Sequence, residues 1–207
     1  MYVPPAFRED RPGVLHHLIR SHPLATLVTA GPAGLVANLV PFDLVERAEG
    51  PMLRAHLARA NPQCDELRTA GEALVIFQGP QAYITPSWYA AKAEHGRVVP
   101  TWNYVVVQVR GRPRVFDAPD WLGAQVTALT DRHETAQPAP WAVTDAPEAF
   151  VAAQLRAIVG LEIPIARIEG KWKMSQNRSE ADRHGVAEGL RATGGAADAA
   201  DLVMPRP

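Results

Sequence analysis

Short apolar runs separated by turn-forming residues fill the first part of the chain. Three stretches have the length of a strand: residues 24–30, 52–57 and 73–77. The sequence Gly-Pro-Ala-Gly at 31–34 separates the first stretch from another at 35–45, and this arrangement predicts a hairpin. Pro41 lies within the second arm of that hairpin, so we expect an edge strand or a bulge there.

The most regular alternation of apolar and polar side chains lies within residues 104–115. Valines at positions 105, 107 and 109 alternate with Tyr104, Gln108 and Arg110. Because a strand turns successive side chains to opposite faces, this pattern predicts a strand with one apolar face. Residues 163–168 are predicted to form a further strand.

Helical spacing of apolar residues occurs in fewer places. Residues 11–21 are predicted to form an amphipathic helix that ends before Pro23, and 61–69 a second one. Asp and Pro stand in start positions before two further predicted helices, 120–134 and 146–159. Many strands on short turns with few helices favour an antiparallel barrel over a doubly wound parallel sheet. The predicted fold class is α+β, mainly antiparallel β, with peripheral helices.

Composition narrows the class of protein. The chain has 207 residues, 47% of them hydrophobic, enough for the core of one domain, which we predict over residues 1–190. Residues 191–207, rich in Ala, Gly and Asp, are predicted to form a flexible tail. With 21 basic and 22 acidic residues, a broad phosphate-neutralising surface is not expected. A single cysteine and the lack of a signal or membrane-spanning segment predict a cytoplasmic location without membrane contact.

Two segments are dense in polar and aromatic residues where packing alone requires neither. They are Gly-Lys-Trp-Lys-Met-Ser-Gln-Asn-Arg at 170–178 and Val-Pro-Thr-Trp-Asn-Tyr at 99–104. Lysine can meet a negative charge, the amides of Gln and Asn both donate and accept hydrogen bonds, and Trp offers a flat apolar face. This set of groups suits a phosphorylated, planar ligand that is rich in heteroatoms.

Together with other segments, these two resemble the PaiB-type FMN-binding negative transcriptional regulators. The other segments follow the order of that family: Met-Tyr-Val-Pro at 1–4 with Phe7, Asn38 before Pro41-Phe42, residues 56–63, residues 79–89, and Lys92. Each segment alone is a weak signal, whereas several in order are hard to produce by chance. The resemblance covers roughly residues 1–190.

The resemblance implies a split β-barrel of the FMN-binding type that forms a homodimer and holds FMN in a groove at the subunit interface. It also implies negative regulation of transcription through sensing of flavin or redox state, with DNA or a regulatory protein as a partner. The sequence contains no helix-turn-helix pattern, zinc finger or basic helix that would read DNA. The alternative is an FMN-dependent oxidoreductase acting on a small molecule, so whether the protein is an enzyme stays open.

Residues 56–63 are a candidate phosphate-binding corner, because a predicted strand ends there and a helix begins. His56, Arg59 and Asn61 are the candidates, since arginine and the free N–H groups at a helix start both favour phosphate. The alternative is an ordinary corner in which Asn61 caps the helix and Arg59 is solvated.

Two pairs of residues are further cofactor-binding candidates. The backbone of an edge strand and the Asn38 amide are predicted to hydrogen-bond the polar rim of the flavin, with Pro41 keeping strand pairing from closing the groove. The alternative is a plain barrel edge protected by proline. Trp102 and Asn103 are the second pair, for which the alternative is a core tryptophan and a turn asparagine. We interpret the segment around Trp88 as a packed loop.

The densest polar cluster follows the last predicted strand. Lys171, Lys173 and Ser175 would share one face if the strand continues through them. With the family resemblance, Lys173, Gln176 and Asn177 are predicted to contact the ligand or the partner subunit. Without that resemblance, a solvated hairpin rim would explain the same residues.

Two positions depart from the family pattern. Gln108 stands where the family usually has a histidine, and glutamine cannot shuttle a proton near neutral pH. Cys64 stands where an aromatic residue is expected. The histidines and the cysteine lack the spacing of metal ligands, so no metal site is predicted, and no catalytic residue is assigned.

Overall fold

The computed structural model describes residues 1–32, 34–194 and 197–204. They form two compact units, each assembled from separated parts of the chain. The terminal unit comprises Met1–Leu18, Gln78–Gln108 and Glu169–Pro207, and the central unit comprises Ile19–Phe77 and Val109–Ile168. The single domain over residues 1–190 stays a prediction.

Ten strands occur among the described residues: β1 Arg8–Glu9, β2 Leu24–Gly31, β3 Gly34–Pro41, β4 Asp43–Val45, β5 Met52–Ala58, β6 Ala73–Ile84, β7 Thr101–Gly111, β8 Arg114–Phe116, β9 Ile158–Pro164 and β10 Arg167–Lys173. The same residues contain seven α-helices: α1 Pro12–Ser21, α2 Gln63–Thr69, α3 Ala90–His95, α4 Pro119–Glu134, α5 Glu148–Arg156, α6 Glu180–Ala192 and α7 Ala197–Val203. None of these helices is both long and apolar enough to cross a membrane.

The central unit contains an antiparallel sheet in the order β4, β5, β9 and β8. Leu53, Ala55 and Leu57 are buried and alternate along β5 with more exposed residues, as the period of a strand requires. β2 pairs with β3 and with the first part of β6, again antiparallel. Helix α4 packs closely on β9. Its Trp121 ring lies so near Gly160 that any side chain at that position would collide with it.

In the terminal unit, the strands follow the order β1, β10, the first part of β7 and the last part of β6. β1 pairs with β10 in antiparallel fashion, and this register places Arg8 opposite Lys171. Val105 and Val107 on β7 and Met174 after β10 are among the buried residues of this unit. The two segments rich in polar and aromatic residues, 99–104 and 170–178, therefore lie on or next to neighbouring strands.

Helix α6 lies against a 3-10 turn at Pro86–Trp88. Gly185 and Gly189, one helical turn apart, face Trp88, and a Cβ at Gly189 would lie 2.4 Å from the indole ring. Glycine in a helix costs about 1 kcal/mol relative to alanine, and here its small size lets the indole approach the helix backbone. The packed loop predicted around Trp88 agrees with this contact.

Most predicted elements are confirmed. The helices predicted at 11–21, 61–69 and 120–134 correspond to α1, α2 and α4, and the predicted hairpin is formed by β2 and β3. Ala33, inside the predicted turn, lies outside the described residues. Pro41 is the last residue of β3, and the chain continues in another sheet from Asp43.

The hairpin arm predicted at 35–45 ends at Pro41, and three further predicted boundaries are wrong. The strand predicted at 73–77 runs on through Gly79 and Pro80 to Ile84. The helix predicted at 146–159 ends at Arg156, because the next residues form β9 and pair with β5. The strand predicted at 163–168 spans the end of β9 and the start of β10. In these three cases, pairing with a distant strand sets the boundary.

The end of the chain differs from the predicted flexible tail. Residues 197–203 form α7, in which Ala199, Ala200 and Val203 are buried. Arg183 donates to the carbonyl of Val203 at 2.8 Å, and Arg191 forms a 2.9 Å ion pair with Asp201. Small apolar side chains seen only as composition in the sequence thus pack against α6. Residues 195–196 and 205–207 of that prediction lie outside the described residues.

Candidate functional site

The predicted polar cluster lies on β10 and on the turn that follows it. Lys171 and Lys173 share one face of the strand, and their Nζ atoms lie 5.1 and 5.9 Å from the centroid of the Tyr104 ring. Lys171 is only 9% exposed, and the ring of Tyr2 lies 5.7 Å from its Nζ atom. Two ammonium groups are therefore held at one aromatic face.

Lys173 is also tied to the start of β7. Its ammonium donates to the hydroxyl of Thr101 and to the carbonyl oxygen of Trp102. Burial, and then the positive charges of Lys171 and Arg178, lower the pKa of Lys173 from its ordinary value. The charges of this cluster repel one another, so a bound anion would be stabilised here.

A left-handed residue shapes the turn after β10. Ser175 has φ +62°, in a region that non-glycine residues seldom adopt. The side chain of Asn103, itself buried, donates from Nδ2 to the buried hydroxyl of Ser175 at 3.0 Å. Gln176 accepts from the N–H of Met174 at 2.6 Å and donates to the carbonyl of Trp172. The amides of Asn103 and Gln176 thus hold the turn in place.

A groove of about 360 Å³ lies on the terminal unit, lined by Gln78, Gly79, Gln81, Trp102, Tyr104, Val105 and Val106. Its Tyr104 wall is the same ring that the two lysines approach. Trp102 is 51% exposed, and its ring meets that of Tyr83 edge-on, with centroids 6.0 Å apart. An accessible aromatic face beside amides and cations suits a planar, polar, negatively charged ligand.

The terminal unit therefore brings together four of the predicted site residues, Trp102, Asn103, Lys173 and Gln176. Trp102 lines the groove and is not the core tryptophan of the alternative interpretation. Asn103 is buried and Asn177 is exposed in the turn. The binding of FMN by these residues stays a prediction.

The predicted phosphate corner lies in the central unit. Arg59 donates from Nε to the carbonyl of Arg156 at 2.9 Å, from Nη2 to that of Ile158 at 2.8 Å, and from Nη1 to Asp117 at 2.6 Å. Asp117 also accepts from Arg68 at 2.8 Å. Hydrogen bonds from Arg59, and then from Arg68, lower the pKa of the Asp117 carboxyl. The positive charge of Arg59 is thus matched by acceptors of its own unit.

Asn38 and Asn61 meet through the fully buried Gln63. The Asn61 side chain accepts from the backbone N–H of Gln63 at 3.0 Å, at the start of α2, and Asn38 donates to Gln63 Oε1 at 2.9 Å. The arrangement agrees with the capping alternative for Asn61. Pro41 is exposed at the end of β3. Whether these residues also contact FMN stays a prediction.

Two further groups of the corner are shielded from water. Burial lowers the pKa of His56, and within the described part of the chain its Nδ1 atom has no hydrogen-bond partner. Burial also raises the pKa of the Cys64 thiol, which donates to the carbonyl of Ala58 at 3.5 Å. A thiol in that environment is a poor nucleophile.

The sequence interpretation missed the groove residues Gln78, Gln81 and Tyr104. Tyr104 carried a signal, because it stands in the polar phase of an otherwise valine-rich strand. Gln81 lies in the segment 79–89 of the family pattern, whereas Gln78 carried no signal, since the strand was predicted to end before it. Across the described ranges, no group of three or more His, Cys, Asp or Glu side chains is placed to hold a metal ion.

The fold is that of known flavoproteins. The structure of the FAD and heme binding protein from Mycobacterium smegmatis superposes with a TM-score of 0.58 at 20% identity, covering 80% of this chain and 73% of that one. At this identity the likeness concerns the fold alone. The predicted class, an α+β split barrel with mainly antiparallel strands and peripheral helices, is confirmed.

Sequence comparison gives the family. Residues 1–167 match the family described as "Putative FMN-binding domain", and a protein of Emericella nidulans is 34% identical over 94% of this chain and 92% of its own length. The chain belongs to this family. Protease synthase and sporulation protein PAI 2 of Bacillus subtilis is 29% identical over 92% of this chain and 89% of its own, which confirms the PaiB-type resemblance.

Proposed function

We propose that the groove of the terminal unit binds the flavin ring of FMN. The observation that carries this proposal is one groove of about 360 Å³ that combines the rings of Trp102 and Tyr104 with the amides of Gln78 and Gln81. Small-molecule sites typically have a volume of a few hundred Å³, apolar walls and few polar groups. Membership of a family of FMN-binding domains supports this choice of ligand.

The residues of the groove fit the chemistry of a flavin. Trp102 offers a face for stacking, and the amides of Gln78 and Gln81 can both donate to and accept from the polar edge of the ring. Lys173 meets negative charge on the ligand, and we propose that Asn177 contacts the ligand or a partner subunit. Bound FMN supplies electron transfer, while this chain holds and orients it.

The central unit holds the alternative set of proposed FMN contacts. Asn38, Pro41, His56, Arg59 and Asn61 all belong to that unit. Of these, Arg59 carries the charge that could meet a phosphate, although its guanidinium already has three protein acceptors. The terminal unit is therefore the proposed site of the flavin ring, and Arg59→Ala tests the central unit by itself.

We propose that the protein is a homodimer. Leu24, Leu35 and Leu39 on β2 and β3 are 57%, 78% and 66% exposed, and β3 is the last strand in the order of its sheet. Exposed apolar side chains on an edge strand favour contact with another protein surface. Light scattering over a range of concentrations tests this, and a monomer throughout would contradict it.

The biological role that we propose is negative regulation of transcription in the cytoplasm, with the bound flavin altering contact with DNA or a regulatory protein. The resemblance of the sequence to PaiB-type negative transcriptional regulators supports this role. An FMN-dependent oxidoreductase is the second candidate. The exposure of Trp102 favours it, because a ring stacked there would remain accessible to a small molecule.

Titration with FMN, followed by flavin fluorescence, tests the proposed site. Trp102→Ala should weaken FMN binding about tenfold or more, because a stacking face is lost. Trp141→Ala is the matched control, since Trp141 is similarly exposed, at 47%, but lies in the central unit. Equal affinity of the two variants, or no binding by the unaltered protein, would contradict the proposal.

The two roles are separated by two assays on the flavin-loaded protein. Regulation predicts a salt-dependent shift of a promoter fragment, or capture of a regulatory partner, that changes with the state of the flavin. The oxidoreductase predicts bleaching of the flavin by NADH or NADPH and its recovery with an acceptor. Bleaching without any DNA or partner binding would replace the first role by the second.

A further inference from the structure

Cationic side chains gather on the β1 and β10 strands of the terminal unit. Arg8 lies opposite Lys171 in the antiparallel pair, so the two side chains share one face. Lys173 follows two residues later on that face, and the charge of Arg178 acts on it. Lys171 is the most buried of the four, at 9% exposure.

Lys171 has no acceptor of its own within the described part of the chain. Its ammonium makes no hydrogen bond and no ion pair there, and its neighbours are the rings of Tyr2 and Tyr104. Glu169, two residues earlier on β10, accepts from the amino group of Met1 at 3.3 Å. The other cations of the cluster, Arg8, Lys173 and Arg178, raise the positive potential at Lys171.

Such an arrangement is unfavourable in the free protein. Lys171 is only 9% exposed, so its ammonium is less hydrated than that of a free lysine, and cation–π contacts with two rings offset only part of that loss. Like charges placed opposite each other on paired strands are destabilising as well. A bound anion would relieve both costs, since its oxygen atoms accept hydrogen bonds and carry the opposite charge.

We propose that Lys171, assisted by Lys173, binds the phosphate of a phosphate monoester. The Tyr104 ring connects this site with the groove, because it lines the groove and lies under both ammonium groups. The inference deepens the proposed function and rests on it where the phosphate is that of FMN. A separate phosphorylated small molecule presents the same chemistry.

The test compares Lys171→Met with the unaltered protein in two assays. Melting temperature is recorded in chloride and in inorganic phosphate at equal ionic strength, and dissociation constants are measured for FMN and for riboflavin, which lacks the phosphate. Lys171→Met should abolish stabilisation by phosphate and weaken FMN binding about tenfold or more, with riboflavin affinity unchanged within about twofold. Lys171→Arg keeps the charge and should retain both responses.

Lys92→Met is the matched control, because Lys92 lies in the same unit and donates to Ser87 at 3.1 Å. Lys171→Gln provides a second removal of the charge. If phosphate protection depends on Lys171 but FMN affinity does not, the site binds a separate phosphorylated molecule and the inference holds. The inference would be overturned if neither phosphate nor FMN affected the unaltered protein. It would also be overturned if Lys171→Met and Lys171→Gln responded to both as the unaltered protein does.

These outcomes separate the inference from the proposed function. Riboflavin binding that depends on Trp102, without any anion effect at Lys171, would leave the flavin site standing and remove the phosphate site. Phosphate protection that is lost in Lys171→Met, without any flavin binding, would do the opposite.

Discussion

Two cations, Arg59 of the central unit and Lys171 of the terminal unit, stand in opposite situations. In the central unit, Arg59 reaches two backbone carbonyls and Asp117, and Arg54 forms a 2.6 Å ion pair with Glu162. In the terminal unit, Lys171 is more deeply buried, and its ammonium lies over the rings of Tyr2 and Tyr104 without a hydrogen-bond acceptor among the described residues. A cation whose acceptors come from its own fold holds that fold together, whereas one without acceptors is available to a ligand. The presence of a basic residue at a plausible position does not distinguish these cases.

The largest expected effect concerns a paired charge. Glu162→Gln should lower the free energy of unfolding by about 3 kcal/mol, because Arg54 would remain partly buried without its counter-charge. Glu162 also accepts from the Trp121 indole at 3.3 Å, so a second contact is weakened. Urea unfolding at neutral pH measures the loss.

Glu72→Gln is the control for that prediction. Glu72 pairs with Arg110 at 2.9 Å but is 57% exposed, so its removal should cost less than about 1 kcal/mol. Equal losses of unfolding free energy in the two variants would show that burial does not determine how much these ion pairs contribute to stability.

The turn after β10 gives the next largest effect. Asn103→Ala should cost about 2 kcal/mol, because the buried hydroxyl of Ser175 would lose the amide partner to which it is bonded. FMN affinity should fall with it, since the same turn directs Lys173. Urea unfolding and FMN titration measure the two effects, and full stability in Asn103→Ala would show that the pair does not support the turn.

Removal of the unpaired charge should have the opposite sign. Lys171→Met is expected to raise the free energy of unfolding of the ligand-free protein by about 1 kcal/mol, since a cation on a largely covered side chain is replaced by an apolar side chain of similar length. Chemical unfolding in chloride buffer measures the gain. A loss of stability would mean that the aromatic contacts alone satisfy this charge, and the contrast between the units would disappear.

Arg59→Ala tests whether a cation with acceptors in its own unit contributes to stability and not to FMN binding. Because Arg59 is bound by acceptors of its own unit, FMN affinity should change by no more than about twofold, while stability falls by about 1 kcal/mol. Fluorescence titration and urea unfolding give the two values. A tenfold loss of FMN affinity at unchanged stability would restore the corner at 56–63 as the phosphate site.

The smallest effect concerns pH. Burial holds the pKa of His56 below its ordinary value, so on acidification the unfolded chain takes up the proton first. Stability should therefore fall as the pH drops through about 6.5, and His56→Gln should reduce this fall. His184→Gln is the control, because His184 is 65% exposed. Identical pH profiles for His56→Gln and the unaltered protein would contradict the assignment.

Local pattern was sufficient for elements that depend on nearby residues. Helix α1 and the β2–β3 hairpin follow from spacing and turn residues within a few positions, and the predicted limits of α1 and β2 differ from the observed ones by one residue. The end of α5 could not be predicted in this way, because it depends on the start of β9, where Gly160 pairs with His56 of β5. Periodicity carries no information about such a distant partner.

For the site, too, the sequence predicted local features but not the contacts between distant residues. The sequence identified the types of residue that could bind a flavin, including Trp102 and Lys173, but not which of them the protein already uses. Arg59 is bound by carbonyls 97 and 99 residues away, and the Gln176 amide turns back on its own loop. Only the folded chain separates a group that is occupied from one that is available.

The Lys173 contact with β7 also has a consequence for the order of folding. It joins residues 71 positions apart, and the Met1 contact with Glu169 spans 168 positions. Contacts between such distant residues form slowly, because long loops must close before the contact stabilises them. In refolding, helical signal should therefore return before the ability to bind ligand, since β10 completes the site only after both ends of the chain have met.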